Sequence, residues 1–221
     1  MTRQLFEKQL REMQDEVLIL SSMVEKAIQR SVQALRTRDV ALSNSVIADD
    51  LLINKKRYEI EEKCIHTMAL QQPMAADLRV LVAILFIVTE LERMADHAEG
   101  IGRINLMLGE EPLPAELGEV WEMGERAGDM LRRAITAFID RDADAARRIC
   151  DEDDVVDTLY DKAYDDLIHM MIRSPVDVQR LTYLIWTSHN LERIADRVTN
   201  ICERVIFMVT GVLEEINVSR Y

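Results

Sequence analysis

Apolar residues recur at steps of three and four along almost the whole chain, and the alternation of half-buried strands is nearly absent. Breaks in this pattern predict six helices, at about 3–36, 40–70, 75–108, 115–139, 143–172 and 176–211. The interruptions hold Asp39, Pro73, Gly109 with Pro112 and Pro114, Asp142 and Pro175. Proline suits these places because it has no N–H to give and tolerates only the first turn of a helix. Six helices joined by short turns predict up-and-down bundles.

The pattern also repeats. Arg38-Asp39 is followed by Ile47 and the acidic pair Asp49-Asp50. Arg141-Asp142 is followed by Cys150 and the acidic run Glu152-Asp153-Asp154, an offset of 141 − 38 = 103 residues. Further on, LERMADHAEGI begins at Leu91 and LERIADRVTNI at Leu191, an offset of 100. The second copy is therefore three residues shorter between its middle and last helices. A loop is the expected place for the loss, which makes Leu70 to Asp77 the longer connection. The predicted fold class is all-α, with two tandem three-helix bundles over 1–109 and 110–221 and a boundary near Gly109 to Pro114.

Composition narrows the setting. The 221 residues are 48% hydrophobic and 30% charged, enough apolar surface for a globular core. The net charge is 27 − 40 = −13, which disfavours nucleic acid and direct insertion into or adsorption on anionic lipid. It favours cations, or a partner with a basic face. Cys64, Cys150 and Cys202 are scattered and form no Cys-x-x-Cys pair, as expected of thiols in a reducing compartment. The opening segment MTRQLFEKQLREMQDE lacks the apolar core of a signal peptide. The longest wholly apolar run, Val80 to Val88, is far short of the roughly 20 residues a spanning helix needs. A cytoplasmic location is expected.

The placement of carboxylates carries the chemistry. In the third predicted helix, Ile84, Ile87, Leu91, Met94, Ala98 and Ile101 form an apolar seam, with Glu92, Asp96 and Glu99 on the adjoining stripe. In the last helix, Leu184, Leu191, Ile194, Val198 and Ile201 form the seam, with Glu192, Asp196 and Glu203 beside it and Asn200 between. A Glu-x-x-x-Asp pair projects both side chains to one side of a helix, roughly 5–6 Å apart at Cβ, and can grip a cation. The preceding helices offer Asp153 and Asp157 in the second half, and Asp50 with Asn54 at the same spacing in the first. Antiparallel neighbours would let these face Glu192/Asp196 and Glu92/Asp96 across a groove. Two readings stay open. One is a solvated acidic edge neutralised by Arg93, Arg103, Arg193 and Arg197. The other is a carboxylate metal site in each half, suited to Mg²⁺, Ca²⁺ or Mn²⁺, with iron or zinc as further candidates.

Other chemistries lack their residues. No glutamate has histidine three positions later, which removes the ferritin-like di-iron pattern. There is no phosphate-cradling glycine-rich loop and no readable Ser–His or Cys–His pairing, so an enzyme is not expected. His97 and His189 lie near the acidic motifs and could ligate or orient a carboxylate, although lone helical histidines more often simply pack or face solvent. The methionines, Trp121 and Trp186 are expected at core and interface positions.

These motifs resemble the PhoU family, tandem three-helix bundles with a repeated Glu/Asp-x-x-x-Asp signature. LERMAD and LERIAD stand in the two expected helices, preceded by ALQQPMAADLR and IRSPVDVQR. IADDLLIN and CDEDDVVD resemble the family's second- and fifth-helix motifs, so the resemblance spans essentially the whole chain. It implies a cytoplasmic, often dimeric, non-enzymatic repressor of the phosphate regulon. Such a protein acts between the ATPase of the phosphate ABC transporter and a membrane sensor histidine kinase, and some members hold multinuclear metal clusters. Carried over by position, the implied ligands are Glu92, Asp96, Glu192, Asp196, Asp50, Asp153 and Asp157, with Asp49 and Asp154 as neighbours. Asn54 stands where a carboxylate is usual, which implies a weaker first site. The alternatives are a metal-buffering bundle without a phosphate role and a purely structural oligomerising bundle.

Overall fold

Each repeat turns its first corner in the same way. Arg38 and Arg141 both adopt left-handed backbone, with φ of 58° and 55°. The amide of the next residue then donates back five positions, Asp39 to Ala34 and Asp142 to Ala137, each at 2.9 Å. This closes one helix in a Schellman turn. The same aspartates then start the following helix. Asp39 accepts from the Leu42 amide and Asp142 from the Ala145 amide, both at 2.8 Å.

The computed structural model describes residues 3–109, 111–113 and 117–216. The helices are α1 (Arg3–Thr37), α2 (Val40–Gln71), α3 (Ala76–Met107), α4 (Gly118–Asp140), α5 (Ala143–Cys150), α6 (Asp153–Arg173) and α7 (Val178–Thr210). A 3₁₀ turn, Pro175–Asp177, precedes α7, and no strand occurs among the described residues. The start expected for the fourth helix, at 115, lies outside the described residues.

Two expectations are corrected. The fifth predicted helix, 143–172, is broken at Asp151-Glu152 into α5 and α6. The amides of Glu152 and Val155 bond three residues back, to Ile149 and Glu152, which tightens the chain there. Four consecutive acids repel at this point, and Arg133 on α4 holds Glu152 through two bonds of 2.7 and 2.5 Å. In α2 the equivalent Asp49 is likewise held by Arg30 at 2.5 Å, but only two acids are adjacent and the helix runs on. The three-residue deletion, moreover, is not taken up by a loop. The connections 72–75 and 174–177 are equally long. α6 runs 173 − 153 = 20 residues past Asp153, whereas α2 runs 71 − 50 = 21 past Asp50. α7 begins 192 − 178 = 14 residues before Glu192, whereas α3 begins 92 − 76 = 16 before Glu92. Trimming helix ends removes only a few terminal hydrogen bonds and leaves the reversal itself unchanged.

α3 and α7 are the central pair. They cross antiparallel, joined by Glu90 to Arg197 and Asn200, and by His97 to Asn190. The apolar seams read from the sequence are buried on both helices. Each fully buried Leu or Ile contributes about 1.5–3 kcal/mol, so these seams dominate the stability. α1 packs on α3 and α4 on α7, and α1 and α4 also touch, so one continuous core runs through both repeats. α2 lies outside α1 and α3, and α6 lies outside α4 and α7. All three cysteines are buried and free. No helix among the described residues is long and apolar enough to cross a membrane.

Candidate functional site

The antiparallel pairing of α2 with α3, and of α6 with α7, brings the acidic motifs together as two grooves beside the α3/α7 seam. In the first groove Asp50 lies on the floor, with Glu92 and Glu99 half-buried and Asp96 exposed at the rim. In the second, Asp153 and Glu192 form the floor, Asp196 is half-buried and Asp157 is at the rim. All seven candidate ligands therefore line a groove. Asp49 turns away to Arg30, and Glu203 accepts the Ile216 amide at 2.9 Å instead of joining the second groove.

Burial and crowding show in the acidities. Loss of water, reinforced by Asp96, Glu99 and Glu92, pushes the Asp50 carboxyl up to about 6. Burial, followed by Asp157, Asp196 and Glu192, pushes Asp153 up to about 7. Asp96, Asp157 and Asp196 are also raised, desolvation first. Asp50 accepts from the Asn54 amide through Oδ2 at 2.7 Å, while its buried Oδ1 has no hydrogen-bond partner. Such an oxygen carries a desolvation cost that a cation would offset.

The protein's own cations neutralise part of this charge. Arg193 bonds Glu192 at 3.2 Å and Asp196 at 2.9 Å, and Arg103 bonds Glu99 at 2.5 Å, two of the four arginines the sequence nominated. The other two, Arg93 and Arg197, bond Glu90 instead, each at 3.3 Å. Sequence reasoning missed Arg57, which spans the first groove from α2, with Nη1 2.7 Å from Glu92 and Nε 2.9 Å from Glu61. Its signal was present, since Arg57 lies seven residues, two helical turns, beyond Asp50 on the same face. Glu90, 8% exposed, was missed because it lies one stripe away from the motif.

His189 lies 3.5 Å from Glu192 and against the Tyr160 ring, and burial lowers its basicity. His97 Nδ1 lies 2.9 Å from Asn190 Oδ1, in the seam. Trp121 packs partly buried under Arg36, and Trp186 is half exposed against Tyr183. The oxygen donors suit a hard cation in kind. Among the described residues they form no group of three His, Cys, Asp or Glu side chains already gathered about one point.

Together these features define a class: an internally duplicated helical scaffold with a carboxylate-lined groove in each copy. The PhoU domain matches twice, over residues 17–104 and 120–205. The two matches start 120 − 17 = 103 residues apart, the offset of the first sequence repeat. The chain is 37% identical to a phosphate-specific transport system accessory protein PhoU homolog of Clostridium acetobutylicum, over 98% of this chain and 100% of that one. It is 35% identical to a Pseudomonas putida protein of the same description, over 94% of this chain and 82% of that one. The crystal structure of PhoU from Pseudomonas aeruginosa superposes with a TM-score of 0.90 at 34% identity, covering 94% of this chain and 100% of that chain. The phosphate transport system regulatory protein PhoU from Streptococcus pneumoniae gives 0.90 at 30% identity, covering 95% and 99%. The chain belongs to the PhoU family.

Proposed function

We propose that this protein is a cytoplasmic, non-enzymatic regulator that restrains phosphate uptake and the phosphate regulon when phosphate is plentiful. It docks between the ATPase subunit of the phosphate transporter and the sensor histidine kinase. The observation that carries this reading is the pair of acidic grooves set on either side of one rigid seam. The relatives' descriptions as phosphate transport accessory and regulatory proteins supply the system in which it works. A rigid face with two anionic grooves suits a partner that presents basic side chains at a fixed separation, and it steers such partners electrostatically. Docking regulates only if the two states of the partner bind with different affinity. Self-association as a homodimer fits the exposed stripe of Leu51, Tyr58 and Ile65, spaced seven residues apart on α2.

The grooves also suit a divalent or multinuclear metal. Asp50, Glu92 and Asp96 would hold it in the first, and Asp153, Asp157, Glu192 and Asp196 in the second. A bound ion would supply neutralising charge to desolvated carboxylates and a fixed point for an acidic or phosphate group of a partner.

The test is the Glu192→Ala/Asp196→Ala double variant, checked for native helix content by circular dichroism. Phosphate-regulated reporter expression should become derepressed, and pull-down of the ATPase and the kinase should weaken. Persistence of both repression and partner capture would show that the grooves are not the working surface.

A further inference from the structure

α7 ends at Gly211, whose left-handed backbone (φ 79°) and 2.8 Å bond to the Phe207 carbonyl turn the chain back on itself. Residues 212–216 then form no regular element, yet they are tied down at two residues. The Ile216 amide donates to Glu203, which lies 210 − 203 = 7 residues, two turns, before the end of α7. The segment therefore runs back beside its own helix for roughly 10 Å. Glu214 pairs with Arg147 of α5 at 2.5 Å, and Ile216 packs partly buried against the core. Glu214 and Ile216 face inward while Leu213 and Glu215 are exposed, the alternation of an extended peptide.

The first repeat has no such seat. By the repeat offsets, Arg147 corresponds to Asn44 (103) and Glu203 to Arg103 (100). Asn44 carries no charge, and Arg103 pairs with Glu99 of its own helix. The ties in the second repeat are also weak ones. Arg147 and Glu214 are 39% and 37% exposed, so water and salt screen their attraction. Lifting the segment breaks this pair, one hydrogen bond and one half-buried contact, and leaves every helix intact.

We propose that residues 212–216 are a displaceable strap, and that the slot beneath it on α5 and α7 docks an extended partner segment bearing a carboxylate and, two residues on, a branched apolar side chain. The strap itself shows the chemistry of the occupant: a carboxylate for Arg147, a backbone N–H for Glu203 and an apolar side chain for the core. On a chain of net charge −13, Arg147 is where an acidic segment finds its complement. A short tether holds the strap at an effective concentration of about the millimolar range, so a partner segment competes only once other contacts have brought it close. The slot lies outside the acidic grooves, and its role stands whether or not they dock a partner.

The test uses the full-length ¹⁵N-labelled protein and the capped peptide of residues 210–216, TGVLEEI, followed by amide chemical shifts. The Glu214→Ala/Ile216→Ser variant, its strap released, should bind the peptide with saturating shifts at Arg147, Cys150 and Glu203. The wild type should need about tenfold more peptide, a ratio set by how rarely the strap opens. Adding Arg147→Ala to the released variant should weaken binding several-fold, and a peptide carrying the same two strap substitutions should not bind. Equal peptide affinity for wild type and released variant would show that the strap does not cover the slot. Absence of shifts at those three amides in the released variant would show that the slot takes no such segment. If light scattering gives the released variant half the mass of the wild type, the occupant is a second copy and the partner reading fails. Glu214→Ala alone, a change at an exposed pair, supplies the same comparison with a smaller ratio if the double variant does not fold.

Discussion

Asp153 offers the sharpest test of the view that the grooves hold anions at a cost. It is 1% exposed, and burial followed by Asp157, Asp196 and Glu192 raises its carboxyl from 3.8 to about 7. For an acid the sign is fixed. The neutral form is favoured in the fold, so this stability is fully present below pH 3.8 and is lost as pH rises through 7. Three units at 1.36 kcal/mol each give a ceiling of about 4 kcal/mol. Neighbouring carboxylates share that cost through coupled titration, so about 2–4 kcal/mol should be recovered by neutralising this one residue. Asp153→Asn is nearly isosteric. It should match the wild type at pH 4.5 within about 1 kcal/mol and exceed its stability by about 2–4 kcal/mol at pH 8. Urea unfolding followed by circular dichroism, in EDTA at both pH values, measures this difference and cancels the titration of groups that do not couple to Asp153. Parallel pH profiles for the two proteins would refute the argument, because ionising Asp153 in the fold would then cost nothing.

Asn105 is 1% exposed, donates to the Ala34 carbonyl at 3.1 Å and to Ser43 Oγ at 2.8 Å, and accepts from Arg38. Asn105→Ala should cost about 2–4 kcal/mol in urea unfolding, since it leaves buried partners unsatisfied. A Cβ on Gly124 would sit 2.9 Å from Val32 Cγ2, where α1 and α4 meet, and a β-branched side chain cannot swing aside. Gly124→Ala should therefore forgo the usual helix gain of about 1 kcal/mol and lower the melting temperature, and adding Val32→Ala should restore that gain. Asp142→Ala removes the acceptor of the Ala145 amide and should cost about 1 kcal/mol, without moving the pH dependence described for Asp153.

Helix positions, the duplication and the acidic stripes were legible because each is a periodic pattern along the chain. The interruption at Asp151-Glu152 was not, because it depends on Arg133, a residue of another helix. The apolar period continues through it, so the pattern alone gives one helix. The helix-end trimming was hidden for a related reason. The offsets of 103 and 100 locate three missing residues between two motifs without saying which part of the segment lost them. In the grooves, facing carboxylates follow from short turns and antiparallel helices. The ion pairing does not, because an arginine on a long side chain can choose among several acids, and three-dimensional distance decides. Arg93 and Arg197 flank the motifs in sequence yet both bond Glu90, Arg93 along its own helix and Arg197 across the seam, whereas Arg57, 35 residues from Glu92, supplies the pairing in the groove.

That choice of partner links the seam to the grooves. The antiparallel crossing of α3 and α7 would, with identical repeats, present each residue to the counterpart of its own partner. Here Glu90 receives Arg197 and Asn200, while its counterpart Asn190 meets His97, with its Oδ1 3.3 Å from where a Cβ on Gly100 would stand. One side of the crossing is ionic and the other is amide to imidazole. Because Glu90 also draws Arg93, the ionic side takes two guanidinium groups out of the competition for groove carboxylates. On α7 the position equivalent to Glu90 is an uncharged Asn190, so Arg193 has no seam carboxylate to follow and instead bonds Glu192 and Asp196. Divergence at a single seam position thus decides which arginine serves the seam and which serves a groove. The inequality of the two grooves is therefore built into the contact that holds the repeats together, as well as into the grooves' own ligands.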